Sequence, residues 1–435
     1  MGRKRKNKIC DKVSHEKEDR ISQLPEPLIL EILYHLSTKD VVRTSALSTK
    51  WRNHWRSVPG LDLDLDAVSD SYMDDFASFG DRFFYPHKVS WIHKFRLKNI
   101  HVPYGEFNLP IWIDAVTSRR IQYLDVDYYG HDNVPLSIYT CKTLVHLRLC
   151  CASLPNAVVS LPCLKILHLE YVRWRNETTL HKLISGTPVL EDLILIRSPN
   201  NFNAHVLQLS SHTLKRIDID MDESPTQVVI DAPQLQCLRT KVYAAKSFKI
   251  INSKFPSKLD IDLRSALFYP TENVIHNILD DISRVRDLVI SSNTWKEFFF
   301  CSRQFLNLSR LNVRFDISDL EMLSTILESC TKLESLTLEI IKDQSMRSHK
   351  EKREPNVMFS AVPECLESSL KFVELKRSIP SYEGEMELIR YFLKNSKILE
   401  KLRLNVYYTY KAKCAFLTEV VAIPRCSSTC KVLVL

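Results

Sequence analysis

One short pattern of apolar residues recurs through most of this 435-residue chain. The pattern is L-x-x-L-x-L or a close variant, and its last three positions alternate apolar and polar residues, as in a strand with one buried face. Between residues 124 and 238 the middle apolar position returns after steps of 23, 20, 26, 24 and 21 residues. A unit this short cannot bury its apolar face alone, so the repeats predict parallel strands stacked into a solenoid. The clearest copies begin at Leu144, Leu164, Leu190, Leu214, Val285, Leu308, Leu333, Leu370 and Leu399.

The period and the spacing of the leucines resemble those of leucine-rich repeats. That family places Asn or Cys three residues after the last leucine of the strand, and Asn293 fits this position. At the equivalent positions of four other copies stand Ala152, Val172, Ser198 and Ile341. The resemblance therefore implies an irregular α/β solenoid, with parallel strands on one side and helices such as 178–186 and 319–330 on the convex side.

The stretch from Asp19 to Pro59 differs from the repeats, because it packs three helical signals into about forty residues. One apolar stripe recurs at intervals of four residues, and a second stripe lies beside it. A helix that is apolar on two faces needs two partners. The pattern alone leaves two hypotheses open: a subdomain packed on the rest of the chain, or a docking module completed by another protein. The stripes comprise Leu24, Leu28, Ile32 and Leu36, and Ile29 and Leu33.

The residues of this stretch resemble an F-box. The pair Leu24-Pro25, the run 39–42 of sequence KDVV, and the tryptophans Trp51 and Trp55 all fall where that family places them. The resemblance implies a three-helix F-box over residues 19–60 that binds a Skp-type adaptor and, through it, a cullin. The side chains that it assigns to adaptor binding are Leu24, Pro25, Leu28, Ile29, Ile32, Leu33, Leu36, Val41, Val42, Leu47, Trp51 and Trp55.

A charged run at 342–354 interrupts the repeats, and a distinct block follows at 355–435. The block contains two further repeat-like strands, an amphipathic helix with Met386, Ile389 and Phe392 on one face, and a tail ending near Val432. This order is similar to the FBD domain, which accompanies F-box and repeat regions in many plant proteins. The predicted organisation is thus a flexible basic arm (1–18), an F-box (19–60), a leucine-rich-repeat solenoid (61–354) and an FBD domain (355–435).

Charge and cysteine usage bound the partners and the compartment. The net charge is +8, but six basic residues against Asp11 give +5 in residues 1–12 alone, which leaves +3 for the other 423 residues. This balance argues against a nucleic-acid-binding body. The basic tip is interpreted as either a nuclear localisation signal or a disordered arm. Twelve cysteines without an apolar signal segment favour a reducing compartment, so we expect the nucleus, the cytoplasm or both, and no membrane span.

The sequence contains no recognisable catalytic, cofactor-binding or metal-binding motif. The seven glycines never lie closer than twenty positions apart, which excludes the glycine-rich phosphate loops and the G-x-S-x-G elbow. No C-x-x-C pair and no H-E-x-x-H occur. Carboxylate pairs such as Asp125 and Asp127 share one face of a predicted strand, an arrangement that acid–base catalysis or metal binding could use. A polar surface on a solenoid is the favoured interpretation, and we expect no enzyme activity, cofactor or metal.

The polar positions of the predicted strands form columns, and a repeat protein usually presents its recognition surface there. The columns mix charged residues with isoleucines that we expect to be exposed, a mixture suited to an amphipathic protein or peptide. The residues predicted to bind a substrate are His146, Arg148, Ile166, His168, Ile194, Ile196, Arg310 and Arg314.

Together these features predict a non-catalytic subunit that recognises substrates for a cullin-based, SCF-type ubiquitin ligase. In this hypothesis the F-box docks on the adaptor, the repeats hold an unknown protein, and other subunits transfer ubiquitin. A second hypothesis keeps adaptor binding but makes the repeats a non-degradative scaffold or a ligand-sensing binding surface.

Overall fold

The computed structural model describes most of the chain in separate ranges. These are 20–64, 91–98, 109–127, 133–174, 176–196, 206–221, 227–243, 247–251, 256–264, 285–291, 294–295, 304–341, 361–377, 384–405 and 410–435. The predicted basic arm at 1–18, the charged run at 342–354 and Asn293 lie outside the described residues.

Most of the repeats contribute one strand each to a single long parallel sheet. Fifteen of the described strands follow one another in this sheet in chain order, as the repeat pattern predicts. The sheet continues beyond residue 354, so the predicted FBD block adds its last three strands rather than a separate layer. The strands are β1 (Gly60–Asp64), β2 (Lys94–Lys98), β3 (Tyr123–Asp127), β4 (His146–Cys150), β6 (Ile166–Glu170), β8 (Asp192–Ile196), β10 (Arg216–Met221), β12 (Cys237–Tyr243), β14 (Lys258–Arg264), β15 (Asp287–Ser291), β16 (Arg310–Asp316), β17 (Ser335–Ile341), β18 (Phe372–Arg377), β19 (Lys401–Asn405) and β20 (Lys431–Val434).

The middle leucines of the repeats stand directly beside one another across the sheet. Leu147 pairs in register with Leu167, and Leu167 with Leu193; the same alignment joins Leu311 to Leu336 much further along. All of these side chains are buried in one continuous core. The leucines of every inner strand thus pack between those of the strands on both sides, and side chains of the return segments such as Trp112, Leu183 and Leu327 complete the same core.

The segments that return the chain from one strand to the next include both helices and strands. The helices predicted at 178–186 and 319–330 are confirmed: a helix spans Glu177–Ser185, and a 3-10 turn followed by a helix at Leu323–Glu328 occupies the second segment. Three return segments instead form a small parallel sheet, which the sequence did not predict. The helices are α1 (Glu26–Tyr34), α2 (Thr38–Arg43), α3 (Leu109–Thr117), α4 (Glu177–Ser185), α5 (Leu323–Glu328), α6 (Glu364–Ser368), α7 (Gly384–Asn395) and α8 (Tyr410–Ala422). The return strands are β5 (Ser153–Leu154), β7 (Arg173–Trp174), β9 (Val206–Ser210), β11 (Gln227–Asp231) and β13 (Ser247–Ile251).

Apolar side chains replace the asparagine expected after the strand. Ala152 and Val172 occupy this position in two successive repeats, and both are completely buried. Just before them, Cys151 and Tyr171 have positive φ angles of 56° and 50°. For residues other than glycine, this left-handed conformation raises the free energy of the folded state by about 1 kcal/mol. After these strands the chain therefore turns through a residue in the left-handed conformation, and a buried apolar side chain occupies the position expected for asparagine.

Arg120 offers the simplest test of this backbone strain. It follows α3 with a φ of 57°, and it is exposed. Replacing Arg120 by Gly should raise the free energy of unfolding by about 1 kcal/mol, because glycine adopts this conformation without steric cost. Urea denaturation would measure the change.

Arg120→Ala is the matched control, since it removes the same side chain but keeps the Cβ that causes the strain. It should leave the stability of the wild type nearly unchanged. Equal midpoints for the glycine and alanine variants would contradict the prediction.

Candidate functional site: an exposed helix face and the polar face of the sheet

The N-terminal helices enclose a small core of their own. Ile29 and Leu33 of α1, Val41 of α2, Trp51 and Val58 are all buried in it. Only one apolar stripe of α1 points into this core, because a nine-residue helix facing a single partner buries residues three to four positions apart. The second stripe must lie elsewhere.

That second stripe lies on the surface. Leu28, Ile32 and Leu36 follow one another at intervals of four residues, and between 37% and 52% of each side chain is exposed. Val42 and Leu47 are also exposed. We call these five residues the exposed apolar stripe. An apolar surface of this kind, next to a core that is already complete, is typical of a protein-binding site.

The structure thus divides the twelve residues predicted to bind the adaptor. Ile29, Leu33, Val41 and Trp51 are buried in the F-box core, where they hold the surface residues in place, and their contact with an adaptor stays a prediction. Pro25 is exposed at the start of α1, and Leu24 and Trp55 are half-buried. The remaining five residues, which form the exposed apolar stripe, stay a prediction.

The predicted third helix is also wrong in detail. The chain around Trp51 makes hydrogen bonds between residues three apart, from the Trp51 amide to the Ser48 carbonyl and from the His54 amide to the Trp51 carbonyl. A 3-10 turn, His54–Ser57, follows instead of an α-helix. This tighter turn suits a short connection in which Trp51 is buried and the chain must then enter β1.

Polar contacts fix α1, α2 and the first strand relative to one another. The Ser37 hydroxyl accepts a hydrogen bond from the Asp40 amide and donates one to the Asp40 carboxylate, and so caps the N-terminus of α2. The hydrogen bond from Ser37 lowers the pKa of Asp40. The Thr38 hydroxyl accepts a hydrogen bond from the amide of Asp62 in β1, at 2.8 Å. The helices that carry the exposed apolar stripe are therefore fastened to the end of the long sheet.

The other candidate surface is the polar face of the long sheet, which consists of the side chains that alternate with the buried leucines. Arg148 lies at the centre of its N-terminal part. Its guanidinium donates hydrogen bonds to Asp125 and Asp127, each at 2.8 Å, and to Glu170 at 2.7 Å. Burial lowers the pKa of Arg148, but the hydrogen bonds to the three carboxylates outweigh it and raise that pKa above its usual value.

These contacts change the role of Arg148. Only 13% of its side chain is exposed, and the flanking carboxylates of Asp125 and Asp127 are buried. The charge of Arg148 is thus already balanced by three carboxylates within the sheet, and its predicted contact with a substrate stays a prediction. Asp125 and Asp127 lie on one face of β3, as their two-residue spacing predicts, and both accept hydrogen bonds from Arg148.

Two histidines and three isoleucines adjoin this ion-pair cluster. His146 stacks on Tyr123 with 4.3 Å between ring centroids. Burial lowers the pKa of both His146 and His168, and the charge of Arg148 lowers them further. Both rings are therefore held neutral near pH 7.

The isoleucines were expected to be exposed, and this expectation is wrong. Ile166, Ile194 and Ile196 are half-buried, since Ile194 stands in register beside His168 and Ile196 beside Glu170. The three residues place half-buried apolar side chains among the polar ones of β6 and β8.

The charged columns resume beyond the isoleucines. Arg239 lies 3.3 Å from Asp218 and 2.9 Å from Asp260. Arg314 lies between 3.6 and 3.9 Å from Asp260, Asp262 and Glu339, with 27% of its side chain exposed. Arg310 is different, because 72% of its side chain is exposed and its contact with Asp287 is long, at 3.9 Å. Of the two predicted arginines in this region, Arg310 is the more available to a ligand.

Three family models match the chain in the order of these features. The F-box domain matches residues 21–62, the LRR repeats of "FBD-associated F-box protein At5g56370" match residues 109–254, and FBD matches residues 359–404. Similar proteins span the whole chain. The F-box/FBD/LRR-repeat protein At1g51370 of Arabidopsis thaliana is 65% identical over 442 residues, which cover 100% of both chains. This chain belongs to the F-box/FBD/LRR-repeat family.

A second relative agrees with this assignment. The F-box/FBD/LRR-repeat protein At5g53840 of Arabidopsis thaliana is 44% identical over 449 residues, covering 99% of this chain and 98% of that protein. The resemblances stated from the sequence are therefore confirmed. An F-box in general implies a Skp-type adaptor as partner, and F-box/LRR proteins are in general the subunits of SCF complexes that recognise substrates. The exposed apolar stripe lies within the F-box match.

Two properties of the described residues concern metal binding and membrane insertion. These residues contain no group of three or more His, Cys, Asp or Glu that is suited to holding a metal ion. Among the helices of this part of the chain, none combines the length and the apolar character that crossing a bilayer requires.

The ion-pair cluster around Arg148 predicts a strong effect on stability. Replacing Arg148 by Met keeps a side chain of similar length but leaves Asp125 and Asp127 buried without their main counter-charge. The free energy of unfolding should fall by about 3 kcal/mol, the cost typical of breaking a buried pair from one side. Urea denaturation at neutral pH would measure it.

Arg310→Met is the matched control, because the same substitution there removes an exposed charge. It should change stability by less than about 0.5 kcal/mol. Similar losses in the two variants would show that the Arg148 contacts have no special role.

Proposed function

We propose that this protein recognises substrates for an SCF-type, cullin-based ubiquitin ligase. The exposed apolar stripe of the F-box carries this proposal. Leu28, Ile32 and Leu36 lie on the surface although the F-box core beneath them is complete. Covering these side chains with a Skp-type adaptor would remove their apolar area from water, at about 25 cal/mol per Å².

The attachment of the F-box to the sheet supports the second half of the proposal. The hydrogen bond between the Asp62 amide and the Thr38 hydroxyl joins the adaptor-binding helices to the first strand of the repeats. A protein bound to the repeats would thus be held at a fixed distance from the ligase. The subunit would act by raising the effective concentration of the substrate near the ubiquitin-transferring subunits, without a reacting group of its own.

Among the residues predicted to bind the substrate, the structure favours those that are not committed to internal ion pairs. The half-buried side chains of Ile166, Ile194 and Ile196 offer apolar contact, and the exposed guanidinium of Arg310 offers a charge. Both lie on the polar face of the same sheet. We propose that a protein substrate contacts this face, with Arg148 serving to order the surface rather than to bind.

Adaptor binding is the direct test. The double substitution Leu28→Ala and Ile32→Ala should weaken binding of a purified Skp-type adaptor by about tenfold or more, because two apolar contacts are lost. Isothermal titration calorimetry with the full-length chain would measure the affinity. Both side chains are exposed, so the variant should keep the circular dichroism spectrum and the melting temperature of the wild type.

Val158→Ala is a suitable control, since Val158 is also an exposed apolar residue but lies in the repeats. It should bind the adaptor as the wild type does. Failure of the wild type to bind, or unchanged affinity of the double variant, would remove the basis of the proposal.

A further inference from the structure

The two ends of the long sheet are finished differently. At the first strand, the outward amide of Asp62 is satisfied by the Thr38 hydroxyl of the F-box. At the last strand, β20, the amides of Lys431 and Leu435 donate to the carbonyls of Glu400 and Leu404, each at 2.9 Å. Successive residues of a strand direct their backbone groups to opposite sides. The amides and carbonyls of Val432 and Val434 therefore point away from β19, and no described residue pairs with them.

The side chains of β20 are also incompletely covered. Val432 and Val434 pack against the core but remain half-buried, whereas Leu402 and Leu404, their in-register neighbours in β19, are fully buried. One more strand beside β20 would complete the burial of both valines, as each strand does for the strand before it. Repeat proteins usually cover such an end, because a bare edge is a template for pairing with another chain.

The charge near this edge indicates what kind of strand would fit. The polar face of β18, β19 and β20 carries Lys376, Lys401, Arg403 and Lys431, and the only carboxylate on these three strands is Glu374. Glu374 is buried and accepts a hydrogen bond from Asn405 at 3.2 Å, and it lies 3.5 Å from Arg403. No described carboxylate forms an ion pair with any of the three lysines. The edge strand itself thus carries Lys431, with Lys401 beside it on β19, and no described carboxylate pairs with either lysine.

The same charges argue against a second copy of this chain at the edge. Two β20 strands paired around a two-fold axis run antiparallel, so Lys431 of one copy stands opposite an apolar residue of the other and gains no opposite charge. The positive charge at both edges would also oppose their approach. A segment with carboxylates on one face would instead find opposite charges beside it.

We propose that the free edge of β20 binds an extended, acidic segment of a partner protein as an added strand. Alternate apolar side chains of that segment would cover Val432 and Val434. Its carboxylates would stand beside Lys431, within reach of the long side chains of Lys401 and Arg403 one strand further in. Backbone hydrogen bonds to Val432 and Val434 supply the pairing, and the alternation of side chains sets the specificity. This surface lies at the opposite end of the strand order from the F-box and does not require adaptor binding.

A capped peptide with alternating Glu and Val, acetyl-EVEVEVE-amide with a fluorescent label, is a suitable probe. Its affinity for the full-length chain would be measured by fluorescence anisotropy, against acetyl-KVKVKVK-amide and acetyl-EVPPEVE-amide as control peptides; the two prolines remove one amide from each side of the peptide strand. The first should bind. The lysine peptide should fail because its charge is wrong, and the proline peptide because it cannot keep the strand pairing.

Two protein variants separate backbone pairing from charge. Val434→Pro removes an outward amide without disturbing the hydrogen bonds to β19, since proline is tolerated at the free side of an edge strand. It should weaken binding about tenfold, whereas Val434→Ala, which keeps the amide, should stay within about twofold. Reversing charge with Lys401→Glu and Lys431→Glu should also cost about tenfold, and Lys142→Glu with Lys332→Glu, at exposed lysines elsewhere, should have little effect.

Several results would overturn the proposal. Unchanged affinity for Val434→Pro would mean that charge attracts the peptide without strand pairing. An equal loss for Val434→Ala would mean that the valine side chain, and not the amide, is responsible. Absence of binding by the acidic peptide, or a dimer in analytical ultracentrifugation that Val434→Pro dissociates, would show that the edge is empty or is taken by a second copy.

Discussion

Each inner strand of the long sheet buries its leucines between those of the neighbouring strands and under the return segments, and the rest of the molecule depends on this register. Leu147, Leu167 and Leu193 lie side by side although 20 residues separate the first pair and 26 the second. The return segments absorb the difference in length, as α-helices, 3-10 turns or short strands. A stack of this kind has a continuous core and two ends. The F-box helices cover one end, through Thr38 and Asp62, and β20 forms the other.

The polar face of the sheet follows from the same register. Alternate residues of neighbouring strands stand next to each other, so Asp125, Arg148 and Glu170 meet on consecutive strands and neutralise one another. Much of the charge on this face therefore orders the surface itself. Three features of the described residues are used least by internal contacts: the exposed apolar stripe of the F-box, the exposed Arg310 with its single long contact to Asp287, and the edge at β20. The functional proposals rest on these features for that reason.

The sequence predicted what depends on local pattern and missed what depends on lateral neighbours. The leucine spacing of the repeats specified the parallel strands, and the residues of the F-box specified the N-terminal helices. Both stripes of α1 look alike in the sequence, however, so Ile29 and Leu33 could not be told from Leu28 and Ile32 until their packing was known. The half-burial of Ile194 and the ion pairs of Arg148 depend on which residue stands opposite in the next strand. Single-strand alternation does not contain that information.

Hydrogen exchange followed by mass spectrometry, on the full-length chain with and without a purified Skp-type adaptor, tests the central claim most directly. The claim is that the exposed apolar stripe is the surface by which this subunit joins a ligase, while the repeats stay free for another protein. Adaptor binding should slow exchange in peptides covering Glu26–Arg43 and the following turn, and leave peptides from β6 to β20 unchanged. Slowed exchange in the repeats with no change in the F-box helices, or no change anywhere at saturating adaptor, would contradict it.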